Sequence, residues 1–180
     1  MTERLVISGF GGQGIMFLGK FIAWAAMREN KFVSFLPAYG AEVRGGTSHC
    51  SVVISDKEIA SWAIDKIDTL IAMNSPSLLK FVPKLKSGSE LFINGSMINN
   101  APKIKGVKVH TFKFTGIASE LGNVRTANMV ALGAYLAEKK LLSLKNIIKL
   151  LPEAFKNNKK LQVINERAVR AGIKLVNSKD

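Results

Sequence analysis

A three-layer α/β domain, with a mostly parallel sheet and a helical C-terminal segment, is what this 180-residue sequence predicts. Three observations carry it. Short apolar runs recur between helical patterns and polar connections over the first two thirds of the chain, as strand–helix alternation requires. From about residue 126 three helical patterns follow one another with no strand between them. The chain also opens on Leu5-Val6-Ile7-Ser8-Gly9-Phe10-Gly11-Gly12-Gln13-Gly14-Ile15, an apolar strand that passes through a glycine-rich turn into a helix.

Gly9, Gly11 and Gly14 satisfy G-x-G-x-x-G, with Gly12 and Gln13 completing the turn. A tight strand-to-helix turn needs positive φ at some position, and a missing Cβ lets backbone N–H groups approach an anion. The helix start adds a partial positive charge. This reads as the first half of a Rossmann-like βαβ unit, with a ligand crevice at the carboxyl end of the first strand. One part of a dinucleotide fingerprint is missing. NAD-type folds carry an acid at the end of the second strand for the ribose hydroxyl. Here that strand, residues 32–36, ends at Pro37; Glu29 precedes it and Glu42 lies beyond a further turn. NAD or FAD is therefore disfavoured. The plainer alternative is a glycine turn that only closes helix onto strand.

The remaining elements follow in order. Residues 15–28 place Ile15, Leu18, Ile22, Ala25 and Ala26 at helical spacing, with small Gly19, Ala23 and Ala26 suiting close packing on a sheet. After the second strand comes Pro37-Ala38-Tyr39-Gly40-Ala41-Glu42-Val43-Arg44-Gly45-Gly46-Thr47-Ser48. A loop of this length in a compact domain points to function. Arg44 beside Gly45 and Gly46 sets a guanidinium next to accessible backbone N–H groups, a fair carboxylate or phosphate contact. The simple alternative is a surface loop with an Arg44–Glu42 ion pair. Residues 49–55 form the third strand. His49 and Cys50 are adjacent, so they point to opposite faces and cannot form a catalytic pair with each other. Cys50 reads as a small buried residue. A hairpin turn at residues 55–58 leads into residues 59–61. Residues 68–73 form a buried strand; Ser75 caps a short helix over 77–84, with Pro76 in its first turn. Residues 90–94 and 109–114 are strands, and 115–122 a short helix or turn. The closing helices cover about 126–139, 143–155 with Ser143 as cap, and 159–176. Asn128 is either a polar contact or a capping residue.

Length and composition bound the function. The chain is 47% hydrophobic and 22% charged, a globular balance with room for one domain over residues 1–180. No apolar run reaches membrane-spanning length, and no secretory pattern precedes the first strand. A single cysteine leaves no disulfide framework and no chain-borne iron–sulfur cluster, and a reduced, cytoplasmic setting is expected. Two histidines, His49 and His110, offer no ordinary metal set, so neither a metal nor a catalytic residue is expected on this chain. Net charge is +13, of which +11 lies in residues 91–180. Such a field favours anionic partners, yet the lysines are scattered over helix faces without interleaved aromatics. A nucleic-acid partner rests on charge alone.

Taken together, the Gly9–Gly14 turn, the Tyr39-Gly40-Ala41-Glu42-Val43-Arg44-Gly45-Gly46 loop, the strand Val52-Val53-Ile54-Ser55 and the helix opening Ala127-Asn128-Met129 resemble the gamma subunits of 2-oxoacid:ferredoxin oxidoreductases. Ala41 stands where that family usually has proline. The resemblance spans nearly the whole chain and implies a division of labour. Partner alpha and beta subunits hold thiamine diphosphate and decarboxylate a 2-oxoacid to its acyl-CoA. Iron–sulfur clusters on partners, including a ferredoxin-like delta subunit, pass electrons to ferredoxin. The gamma subunit is a non-catalytic member of the enzyme that helps accommodate coenzyme A and completes the assembly, with no nucleic acid or membrane partner. It implies a ligand-facing turn of Gly9, Gly11, Gly12, Gln13 and Gly14. It also implies a loop of Tyr39, Glu42, Arg44, Gly45, Gly46 and Thr47 toward the coenzyme or a partner, with Asn128 on the rim. The wording is closest to 2-oxoglutarate-type subunits. Branched-chain and pyruvate-type complexes, and a stand-alone nucleotide-binding protein, are the alternatives.

Overall fold

The computed structural model describes residues 1–38 and 47–178. The backbone divides into two compact units, Met1–Phe112 and Lys113–Asp180.

The first unit is built on six strands: β1 (Thr2–Gly9), β2 (Phe32–Ala38), β3 (Ser48–Ser55), β4 (Ile67–Ala72), β5 (Leu85–Asn94) and β6 (Lys108–Phe112). Their order across the sheet is β2-β3-β1-β4-β5-β6. β3 alone runs against the rest, pairing antiparallel with both β1 and β2, while β1, β4, β5 and β6 pair in parallel. β1 is central and nearly covered on both faces. Leu5, Val6 and Ile7 are all buried, which is why the strand reads as a continuous apolar run. Helix α1 (Ile15–Arg28) lies on one face: Cys50 of β3 sits so close to Gly19 that a Cβ there would come within 2.3 Å of its sulfur. Helix α2 (Ser75–Phe81) covers the other, where Leu78 and Phe81 pack with Val6, Leu70, Leu91 and Ile93. Helix, sheet and helix give the three layers.

Three expectations are corrected here. The helix after β4 is capped by Asn74, whose side chain accepts from Ser77 N at 2.9 Å, so the helix begins at Ser75 and not at Ser77. Both residues are good caps, and only the direction in which β4 delivers the chain decides between them. β5 starts at Leu85, five residues before the apolar pattern begins, because Ile67 and Ser89 hold its polar start through a bond of 2.6 Å from Ser89 Oγ to Ile67 O. A register shift between Ile67 and Thr69 accommodates Gly88, whose φ is 84°. The bend after Ser55 carries no following strand. Asp56 instead ties the amino terminus at 3.0 Å to Lys31 at 2.7 Å, and residues 56–66 are irregular. These two cations hold the exposed Asp56 carboxyl at about 2.

The second unit contains α3 (Phe114–Glu120), α4 (Ala127–Lys139), α5 (Leu144–Ala154) and α6 (Lys159–Asn177). Ten consecutive residues of α4, Ala127 to Leu136, are buried, as expected of a helix apolar all round. Ser143 caps α5 by accepting from Asn146 N at 3.1 Å, as the sequence predicts. Asn158 caps α6. α4 and α6 cross at Gly133 and Gly172 with their backbones nearly touching. No helix among the described residues is long and apolar enough to cross a membrane.

Candidate functional site

The chain leaves β1 toward β2 at one edge of the sheet, returns as β3, and then starts the other half with β4 on β1's opposite side. The carboxyl ends of β1 and β4 therefore flank a topological switch point, where α/β sheets open a ligand crevice. The glycine turn follows β1, and Met73 and Asn74 follow β4.

Gly12 and Gly14 have φ of 86° and 72°, the left-handed region that only glycine enters freely. Gly14 is the N-cap of α1, and no side chain caps the helix. Gly9 is confined in a different way: a Cβ there would lie 2.5 Å from Gln13 Oε1, 2.8 Å from Ile15 Cδ1 and 3.0 Å from Met73 Cβ. Gln13 is the tie across the crevice. Phe10 N donates to its Oε1 at 2.6 Å, and its Nε2 donates to Met73 O at 3.4 Å. Its amide is thus engaged in holding the turn to the end of β4. Gly11 has neither reason: its φ is not positive, and a Cβ there would meet nothing within 4 Å. It is exposed, as is Gly12.

The neighbouring strand ends complete the rim. Met73 N donates to Ser8 O at 2.8 Å, and Ser8 Oγ donates to Ser48 O at 3.2 Å. Asn94 at the end of β5 donates through Nδ2 to Met73 O at 3.4 Å. Asn74 Nδ2 and Ser77 Oγ are buried with no hydrogen-bond partner among the described residues. Ser48 pairs with Gly9 and His49 with Ala38, so these described residues lie at the end of the sheet that carries the glycine turn. Tyr39, Glu42, Arg44, Gly45 and Gly46 themselves lie outside the described residues. Thr47 is half-buried, and Lys80 Nζ donates to its Oγ1 at 3.2 Å. Asn128 belongs to the second unit and is buried at the second position of α4, whose N-cap is Thr126. It is therefore not a cap. Sequence reasoning missed Ser8, Met73, Asn74 and Asn94. Their available signal was position alone: each lies at or just beyond the carboxyl end of a strand.

His49 packs on Phe81 with ring centroids 4.8 Å apart. Burial, then the charges of Lys80 and Lys84, hold its pKa below the ordinary 6.5. The sign follows: below that value the unfolded chain takes up this proton more readily, so acidification works against the fold through His49. Cys50 lies on the opposite face. Burial pushes its thiol up to about 12, and Sγ donates to Ile15 O at 3.5 Å. We expect the folded protein to react with iodoacetamide at pH 8 at least about a hundredfold more slowly than the unfolded chain. Comparable rates would place the thiol at the surface.

Comparison with known proteins agrees with this fold. Residues 4–175 match the family described as pyruvate ferredoxin/flavodoxin oxidoreductase. The ketoisovalerate oxidoreductase subunit VorA of Methanothermobacter thermautotrophicus is 40% identical over 137 residues, 74% of this chain and 28% of that protein. The chain thus spans little more than a quarter of this relative. The 2-oxoglutarate synthase subunit KorC of Methanothermobacter marburgensis is 32% identical over 165 residues, 88% of this chain and 87% of that protein. Among solved structures, the gamma subunit of a keto/oxoacid ferredoxin oxidoreductase from Geobacter sulfurreducens superposes with a TM-score of 0.84 at 26% identity, covering 98% of this chain and 99% of that one. A 2-oxoglutarate:ferredoxin oxidoreductase from Magnetococcus marinus, solved with 2-oxoglutarate, coenzyme A and succinyl-CoA bound, gives 0.89 at 27% identity, over 98% of this chain and 31% of that one.

Proposed function

The chain belongs to the pyruvate ferredoxin/flavodoxin oxidoreductase family, and on that premise we propose that it is the gamma subunit of a cytoplasmic, thiamine-diphosphate-dependent 2-oxoacid:ferredoxin oxidoreductase. In this reading alpha and beta subunits hold thiamine diphosphate, iron–sulfur clusters sit on partners that include a ferredoxin-like delta subunit, and ferredoxin takes the electrons. This chain supplies no catalytic residue. It receives the phosphate-bearing end of coenzyme A at the switch-point crevice and completes the complex.

The observation that carries the coenzyme role is Gly11. It needs neither positive φ nor internal space to be glycine, yet it lies in the exposed turn beside the start of α1, which no side chain caps. A backbone left bare toward the crevice suits close approach by an anion, and the helix start favours negative charge. Arg44, followed by Gly45 and Gly46 in sequence, would add a cation, since Ala38 and Ser48 on either side of it in the chain lie at the same end of the sheet.

The test is Gly11→Ala in the assembled complex. The fold should hold within about 0.5 kcal/mol, as for a surface change that meets no neighbour. KM for coenzyme A should rise about tenfold, with the complex intact or weakened. An unchanged KM together with an unchanged complex would remove the turn from the site. Arg44→Ala should act in the same direction, and the same pair of null results would remove Arg44.

We take 2-oxoglutarate as the favoured substrate because the KorC relative from Methanothermobacter marburgensis is matched over 87% of its length. The 40% identity to a ketoisovalerate subunit supports a branched-chain 2-oxoacid as the second reading. Turnover of 2-oxoglutarate and 2-oxoisovalerate by the purified complex separates them.

A further inference from the structure

The unit Lys113–Asp180 carries thirteen Lys or Arg against five Asp or Glu, and one part of that excess is organised. At the start of α6, Lys159, Lys160, Val163, Ile164 and Arg167 line a shallow depression of about 390 Å³. The spacing 160, 163, 164 and 167 is one helical face. The opposite face is the packed one: Asn165, Ala168, Val169 and Gly172 are buried. At the centre of the outward face Val163 is 58% exposed, and Ile164 is half-buried. Lys159, Lys160 and Arg167 form no ion pair among the described residues. Glu166, the one acid of α6, is taken by Arg170 at 2.8 Å.

Two of these cations are placed against the helix's own interest. Lys159 and Lys160 occupy the first turn, where the macrodipole favours carboxylates, and no acid balances them. A cation pair there weakens the helix, while an exposed valine at its centre gains nothing from water. Both costs are offset together by a partner surface that brings carboxylates around an apolar contact.

We propose that this face of α6 docks the acidic surface of another polypeptide, with Val163 at the centre of the contact and Lys159, Lys160 and Arg167 on its rim. The occupant is a protein and not a nucleic acid, because the patch has no aromatic ring for a base to stack on and its centre is apolar. It is not a membrane, because one valine and a half-buried isoleucine present too little apolar surface to enter a bilayer. The proposal goes beyond the coenzyme role and does not depend on it.

The experiment has two arms in the native host. A photoreactive benzoylphenylalanine at position 163 of the full chain is irradiated, and the crosslinked product is sequenced. The proposal expects a polypeptide crosslinked at an acid-rich segment, with the yield falling at high salt. It also expects the crosslink to drop at least tenfold when K159E, K160E and R167E are added. Thermal denaturation of the K159E/K160E/R167E chain is the control. Carboxylates in the first turn should leave Tm unchanged or higher, so a lost crosslink reports docking and not unfolding. Crosslinking to nucleic acid or lipid, no crosslink at all, or a protein crosslink indifferent to charge reversal would overturn the proposal. A crosslinked acidic chain supports the docking face whether or not it is an oxidoreductase subunit; the subunit reading is decided separately, by which proteins co-purify with the chain.

Discussion

Gly133→Ala should cost the fold about 3 kcal/mol or more, the largest stability effect expected of a single methyl group in this chain. A Cβ at Gly133 would lie 2.0 Å from Val169 O and 2.9 Å from both Gly172 Cα and Ile173 N. All three are backbone atoms, so no rotamer change relieves the clash, and α4 and α6 must separate. Separation opens the buried contacts of Val130, Ala134, Ala168 and Val169 at once. Gly172 meets the same limit from the other side, with its Cβ 2.0 Å from Val130 O. The double variant should therefore lose less than the sum of the singles, since the first separation relieves the second clash. Thermal denaturation checks this: a drop of about 6–12 °C for Gly133→Ala is expected of a domain this size. A drop under about 2 °C would mean the helices do not cross this closely.

Gly9→Ala should cost less stability and more function. Its Cβ would displace the Gln13 side chain and crowd Met73. Gln13 then gives up the bonds to Phe10 N and Met73 O, a loss of about 2 kcal/mol for two partly buried hydrogen bonds. The functional consequence follows from geometry. With the tie gone, the turn after β1 is no longer fixed to the end of β4, and the backbone of Gly11 and Gly12 loses its aim. In the purified complex we expect coenzyme-A-dependent turnover to fall by about 100-fold, the penalty of misplacing a positioning group by roughly an ångström. The Gln13→Ala variant should reproduce much of that loss without any clash. Full activity in both would show that the tie does not organise the site.

Local rules made much of this legible in advance. The helix over residues 15–28 announces itself by apolar spacing and a glycine start, and its observed bounds are those expected. Ser143 caps α5 as its residue type suggests, and Cys50 is buried as free cysteines usually are. The misses share a cause. Asn74 and Ser75 are equally good caps, and the choice depends on how β4 exits the sheet. The early start of β5 depends on a bond between residues 22 positions apart. The Gly133–Gly172 crossing pairs two helices whose sequences each show only small residues. In the site, the glycine turn was readable because its requirements are local. Met73, Asn74 and Asn94 were not, because strand order alone brings them to the crevice.

The subunit reading is settled by affinity purification of this chain from its native host under gentle conditions, with mass spectrometry of the associated proteins. A gamma subunit should bring down thiamine-diphosphate-binding subunits and a ferredoxin-like chain in constant proportion. Recovery of the chain alone, stable and without those partners, would contradict that reading and leave a stand-alone nucleotide binder.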